Sequence, residues 1–176
     1  MNLWIRSPVA CLLAILCDTS VAAPPRTEFE QGFIGRQWVS ETPVFDPYPF
    51  SGQCKHLESQ DLQRNQKRIH GFRIDYFNCN GRGLYLLEQS IGDGKVKVVD
   101  ALHLPRFKPG ERYMMTGDCE INGNTDTDFI AVVRLGRREK VDWKTGIRAA
   151  WAPKPETGKI EELSTRDIVC WRMTPP

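Results

Sequence analysis

Residues Gly117 to Val133 read GDCEINGNTDTDFIAVV, and oxygen-bearing side chains recur at every second position before the chain turns apolar. That layout suits a loop wrapped around a hard cation. Calcium takes six to eight oxygen ligands at about 2.3 to 2.6 Å, drawn from carboxylates, amides and backbone carbonyls, so a short loop can gather them only if ligands alternate and the backbone turns tightly. With Glu120 in the first ligand position, Asn122, Asn124 and Asp128 fall in the third, fifth and ninth, Gly123 permits the close turn, and Asp126 adds a carboxylate or a backbone carbonyl. Glu120, Asn122, Asn124, Asp126 and Asp128 are therefore the candidate metal ligands, and Ca2+ is the one cofactor the chain suggests. The same residue types also build Asx-turns, in which Asn and Asp side chains hydrogen-bond their own backbone. On either reading the loop is structural rather than catalytic.

The segment Glu120 to Asp128, running into FIAVV, resembles the calcium loop of FG-GAP and VCBS repeats, where an Asp-x-Asn-Gly-Asp-Gly type loop leads into a hydrophobic strand. The resemblance is confined to this loop and implies a cation that staples adjacent β elements. Glu120 and Asn124 stand in place of Asp, and Thr125 in place of Gly, so the resemblance implies weak binding, with a Kd of about 10⁻⁴ to 10⁻³ M. Farther along, GDC, NG, the AW segment, ETGKIEELST and IVCW make the last third of the chain similar to small secreted proteobacterial proteins without an assigned role. That resemblance implies an exported, stand-alone bacterial protein and supplies no catalytic residues.

Other chemistry is thin. The three histidines, His56, His70 and His103, have no metal-ligand spacing, and no GxSxG elbow occurs. Glu161 and Glu162 are adjacent in a strand and point to opposite faces, so they cannot pair as glycosidase carboxylates. A positive run of Arg134, Arg137, Arg138 and Lys140 follows the apolar strand, while Arg73 and Arg82 flank Cys79. The run reads either as a contact for an acidic partner or as a solvated turn. Trp38, Trp143, Trp151 and Trp171 are sugar-stacking platforms or interface anchors if exposed, and core if buried.

These residues are delivered by an exported chain. Arg6, the apolar run Val9 to Leu16 and the small residues Ser20-Val21-Ala22 have the order of a secretory signal peptide cleaved after Ala22. The apolar run is too short to span a bilayer core of about 30 Å, so no transmembrane span is expected in the mature chain. The formal charge of +2 is unchanged by that cleavage, because Arg6 and Asp18 leave together. A balance so near neutral argues against a nucleic-acid partner. Cys54, Cys79, Cys119 and Cys170 remain, an even set that reads as two disulfides in an oxidising compartment. Of three possible pairings we take Cys54 with Cys79 and Cys119 with Cys170, the second stapling the C-terminal strand to the acidic loop. No CxxC or Cys/His cluster at zinc spacing is present.

Residues 23–53 read as a proline-rich arm, with Phe33, Trp38, Val39 and Phe50 holding it along a single β-rich domain at 54–176. Within that domain Cys54 to Arg68 reads as a short helix or solvated loop, since Leu57 and Leu62 are its only apolar side chains. Strands are expected at 72–79, 83–90, 95–104, 112–116, 129–135 and 159–163, with Gly92-Asp93-Gly94 turning a hairpin. Asp142 to Ala152 suits a strand better than a helix capped by Asp142, because Gly146 interrupts it. Phe129 to Leu135 is the most apolar and belongs at a sheet centre. The fold class is mainly β, an antiparallel sandwich or partly open barrel with at most one or two short helices.

The functional expectation is an exported, periplasmic or secreted, non-enzymatic binding protein of the cell envelope, an inhibitor or immunity-type protein among the options. Its partner is an envelope protein or an anionic wall polymer. The alternatives are an envelope enzyme or accessory factor acting on glycan or lipid, and a purely structural calcium-stapled module.

Overall fold

Ile130 to Val133 are buried at all four positions, and this strand organises the molecule. The computed structural model describes residues 25–39, 54–64 and 67–172. The segment expected to be a signal peptide and residues 40–53 of the arm lie outside them. Three antiparallel sheets are formed. The first contains β1 (Gln37–Val39), β2 (Cys54–Arg64), β3 (Lys67–Cys79), β4 (Arg82–Gly92) and β5 (Lys95–His103), in the order β1-β5-β4-β3-β2. The second contains β6 (Arg112–Met115), β8 (Ile130–Val133), β10 (Ile147–Lys154) and β11 (Lys159–Glu162), in the order β11-β10-β8-β6. The third is β7 (Cys119–Ile121), β12 (Ile168–Trp171) and β9 (Lys140–Asp142), with β12 central.

The second sheet is the middle layer, which is why β8 carries no polar residue. Ile130 packs with Ile74, Tyr85 and Leu87 of the first sheet. Ala131 and Val133 face the other way, onto Val141, Ile168 and the Cys119–Cys170 pair of the third. A strand buried on both faces reads as a continuous apolar run rather than an alternating one. The expected sheet-centre strand is thus found, in a layered sandwich with no closed barrel.

Both expected disulfides are present, Cys54 to Cys79 and Cys119 to Cys170. Each joins residues directly opposite in neighbouring strands, β2 to β3 and β7 to β12. The Gly92-Asp93-Gly94 turn has positive φ at all three residues and joins β4 to β5 as expected. The segment after Asp142 turns tightly: the Asp142 carboxylate accepts from the backbone N–H groups of Lys144 and Thr145 at 3.0 Å each, and β10 begins at Ile147.

Residues 54–64 correct the expectation of a helix or loop, since they form a long strand paired with β3. Register shifts fall at Leu57 and at Leu62, the two apolar residues of the segment. A bulge changes the face a side chain points to. At Leu62 that change delivers the side chain into the core between the first two sheets.

A third core covers the outer face of the first sheet. Phe29 and Phe33, on and just after the short helix α1 (Glu28–Gln31), and Trp38 on β1 pack on Phe77, Leu84, Leu86 and Val98. Thr27 and Glu30 form a capping box at the start of α1, and Glu30 Oε1 accepts from the His103 backbone N–H at 2.6 Å. The arm therefore adds a strand, with β1 pairing to β5. Among the described residues no helix is long and apolar enough to cross a membrane.

Candidate functional site

Arg134 leaves the end of β8 and enters a shallow cleft of about 300 Å³ that four separate segments build. The turn before β6 supplies Lys108 and Glu111, the turn before β10 supplies Trp143 and Lys144, and β10 itself supplies Arg148. Arg148 Nε and Nη2 each donate to a Glu111 carboxylate oxygen at 2.8 Å, and the Lys108 backbone N–H donates to the same carboxylate at 2.7 Å. The Arg148 hydrogen bond, followed by that of Lys108, holds the Glu111 carboxyl below its ordinary range. Arg148 Nη2 also donates to the Arg106 carbonyl at 3.2 Å, which fixes the turn against the sheet. Gly110 takes a positive φ of 78° in the turn beside the Arg134 stem.

Among the described residues Glu111 is the one carboxylate lining this cleft, and Arg148 already engages it in a bidentate pair. Arg134, Lys108 and Lys144 then face the opening with no lining acid left to neutralise them. Trp143 is 43% exposed beside them, with Lys144 Nζ 5.2 Å from its ring centroid. Such a surface can hold anionic groups and present one aromatic face to a sugar or another planar group.

No family model, curated protein or solved structure matches this chain.

The other members of the predicted basic set lie around the cleft in different roles. Arg138 Nη1 donates to the Thr145 carbonyl at 2.9 Å and braces the turn that carries Trp143. Lys140 lies over the Trp171 ring at 5.4 Å, and Arg137 is exposed. Lys108, Lys144 and Arg148 were not singled out from sequence, because only the β6-β8-β10 pairing brings them beside Arg134. Of the tryptophans, Trp151 packs against the core between the first two sheets, Trp38 packs from the arm onto the outer face of the first sheet and Trp171 is half-buried.

Gly146 closes the turn behind the cleft, and a Cβ there would stand 2.4 Å from the Arg134 carbonyl oxygen and 3.3 Å from Val141 Cβ. Gly146→Ala is expected to lower stability by about 1 to 2 kcal/mol, because the obstacle is backbone and cannot rotate away. A thermal melt followed by tryptophan fluorescence checks this, and an unchanged midpoint would show that the turn yields freely.

The acidic loop gives its oxygen-bearing side chains different partners. Asn124 Oδ1 accepts from the Asp126 backbone N–H at 2.7 Å, an Asx-turn, and Asn122 takes a positive φ of 51°. Glu120 lies on β7, paired opposite Val169. Asp128 turns inward: it is 5% exposed, accepts from Gln60 Nε2 at 3.0 Å and from the Gln63 backbone N–H, and donates its own N–H to the Gln63 carbonyl at 3.2 Å. It thereby latches the middle layer to the edge strand β2. Burial pushes its carboxyl up to about 6, against the lowering effect of the Gln63 hydrogen bond. Among the described residues no group of three His, Cys, Asp or Glu side chains is placed to hold a metal ion.

One polar cluster escaped sequence reading. Beyond the arm, on the outer face of the first sheet, strand pairing sets Ser59 opposite Asp75 and Arg73 opposite Glu88. Arg73 Nη2 donates to Asp75 Oδ1 at 3.0 Å and to Ser59 Oγ, Ser59 Oγ donates to Asp75, and His56 Nε2 lies 3.1 Å from Ser59 Oγ. Serine, histidine and aspartate are thus together, but not as a relay. A triad carboxylate holds the imidazole nitrogen remote from the serine. Here Asp75 stands 3.7 Å from the same Nε2 that faces Ser59. His103 lies elsewhere, its ring 4.6 Å from that of Phe29, and burial together with Arg82 lowers its pKa.

Proposed function

We propose that this protein is an exported, non-enzymatic binding protein of the cell envelope that holds an anionic wall polymer in the cleft at Lys108, Arg134, Lys144 and Arg148. The observation that carries this reading is the convergence of four cations from separate segments on one cleft in which, among the described residues, the one lining acid is paired with Arg148, leaving Lys108, Arg134 and Lys144 without a lining acid. The exposed Trp143 ring favours a polymer of sugars bearing anionic groups over a featureless polyanion. Two disulfides agree with an oxidising compartment outside the cytosol.

The test is direct titration with a soluble polyuronate and with neutral dextran of matched length. The polyuronate is expected to bind, with an affinity that falls as salt rises, and the dextran is not. Arg134→Glu together with Lys144→Glu is expected to weaken binding by at least about tenfold while leaving the melting midpoint in place, since both side chains are on the surface. Equal affinity for the two polymers, or an affinity that the double variant leaves intact, would refute the assignment. Trp143→Ala then separates ring stacking from charge: it should weaken polyuronate binding without changing its salt dependence.

A further inference from the structure

A second cleft, of about 380 Å³, lies on a different part of the molecule, between the acidic loop, the end of β2 and the end of β10. Leu62, Ile69, Ile121 and Leu163 supply aliphatic lining, Asp128 lines it beside them, and Lys154 lines it from β10. The volume is that of a small-molecule site. No aromatic side chain lines it, so it offers nothing for a sugar ring to stack on.

Its polar groups are few and opposite in sign. Asp128 is more than nine-tenths buried, and its carboxylate accepts from Gln60 Nε2, from the Gln63 backbone N–H and from the Thr116 side chain. Two carboxylate oxygens can accept about four hydrogen bonds, so the group retains capacity for a ligand donor. Lys154 has no carboxylate partner among the described residues, whereas the neighbouring Arg64 is engaged by Glu156 at 3.2 and 3.3 Å. A buried acid, aliphatic lining and an uncommitted ammonium together complement a molecule with the reverse pattern.

We infer that this cleft binds a small aliphatic zwitterion, an aliphatic amino acid or dipeptide, with its ammonium on Asp128, its side chains on Leu62, Ile69, Ile121 and Leu163, and its carboxylate at Lys154. An ammonium donor fits because it satisfies lone pairs that are withdrawn from water. The inference is independent of the anionic-polymer reading, which concerns the other cleft.

The experiment leaves Asp128 in place, since its latch on β2 means that a variant could simply fail to fold. The ligand is changed instead. Leucyl-leucine, N-acetyl-leucyl-leucine and leucyl-leucinamide are titrated into the intact protein, with backbone amide shifts reporting the location. Leucyl-leucine is expected to move the resonances of Asn122 to Asp128 and Leu163. Acetylation, which removes the ammonium, is expected to weaken binding at least tenfold, and amidation, which removes the carboxylate, several-fold. Lys154→Gln, a half-buried position at the end of β10 where the stem can keep its packing, should reproduce the amidation loss, with the melting midpoint recorded beside it. Equal binding of the free and acetylated peptides, an affinity that Lys154→Gln leaves intact, or no binding of leucyl-leucine at millimolar concentration would each overturn the inference.

Discussion

Arg26→Ala is expected to remove about 3 to 5 kcal/mol of stability, the usual cost of stranding one partner of a buried ion pair. The stranded partner is Asp100, which is fully buried. Arg26 Nε donates to Asp100 Oδ1 at 3.1 Å, and Arg26 Nη2 donates to Oδ2 at 2.5 Å and to the Ile160 carbonyl at 2.6 Å. The Ile160 backbone N–H donates to the same carboxylate at 2.7 Å. One side chain of the arm thus ties the first sheet to β11, the edge of the second. After substitution, the carboxylate keeps one backbone N–H and the Lys159 ammonium at 3.9 Å, a partner that is more than half exposed and so strongly screened. Denaturant unfolding measures the loss. Asp100→Asn placed on the Arg26→Ala background should recover part of it, because the unpaired charge is then gone, and the cycle should show a coupling of more than about 1 kcal/mol. A midpoint unmoved by Arg26→Ala would mean that the arm rests on the domain without fastening it.

That clasp shows where sequence reading stops. Phe33 and Trp38 are apolar residues in a proline-rich arm, and from them alone the arm could be expected to lie along the domain. Nothing about Arg26 distinguishes it from any other arginine, because its partner is distant in the chain and is specified only by the packing of two sheets. The strands of the second sheet were legible because β8 is apolar throughout and its neighbours are bounded by Gly and Pro, whereas β7 and β9, three residues each, lay inside the acidic loop and at the end of the basic run. In contrast, β2 was illegible because two bulges fall at its only leucines and break the period of two on which strand recognition depends. The disulfide pairing rests on residues that strand register sets opposite each other, Cys54 with Cys79 and Cys119 with Cys170.

The candidate sites divide in the same way. Local chemistry was readable: Asn124 makes the Asx-turn that its residue type suggested, and Arg134 sits in a basic cleft. What that local pattern could not give was direction. Alternation placed Asp128 with the other loop oxygens, yet the start of β8 turns it toward β2, where it serves a sheet edge. An edge strand with open backbone groups is an aggregation liability, and covering it is a common protective device. Asp128 covers β2 at Gln63 with both a backbone and a side-chain hydrogen bond.

Glu88→Gln should stabilise the protein at neutral pH, by roughly 2 to 3 kcal/mol, and flatten the fall in stability toward alkaline pH. Glu88 is fully buried, and its carboxyl lies against the Asp75 carboxylate and the Trp38 indole, where the protonated acid can donate to Asp75. The nearest cation, Arg73, has its Nε at 3.6 Å from Glu88 Oε2 while its Nη2 serves Asp75. Burial first, and then the adjacent Asp75, push the Glu88 carboxyl up to about 9. The folded state therefore holds a proton that the unfolded chain has released above its ordinary value of 4.5. Stability from this group is fully present below that value and is lost progressively as pH rises toward 9. At pH 7 most of the loss has been incurred, because the unfolded chain gains a solvated carboxylate that the folded state cannot accommodate. Glutamine keeps the shape of the neutral acid and has no proton to release, so the variant should melt several degrees higher at pH 7 and match the parent near pH 4. Melting curves across pH 4 to 9 decide it. A variant no more stable at pH 7 than the parent would show that Arg73 already holds Glu88 ionised against burial and the Asp75 charge. The cluster would then be a buried charge network built around Arg73 rather than a neutral acid set beside an Arg–Asp pair.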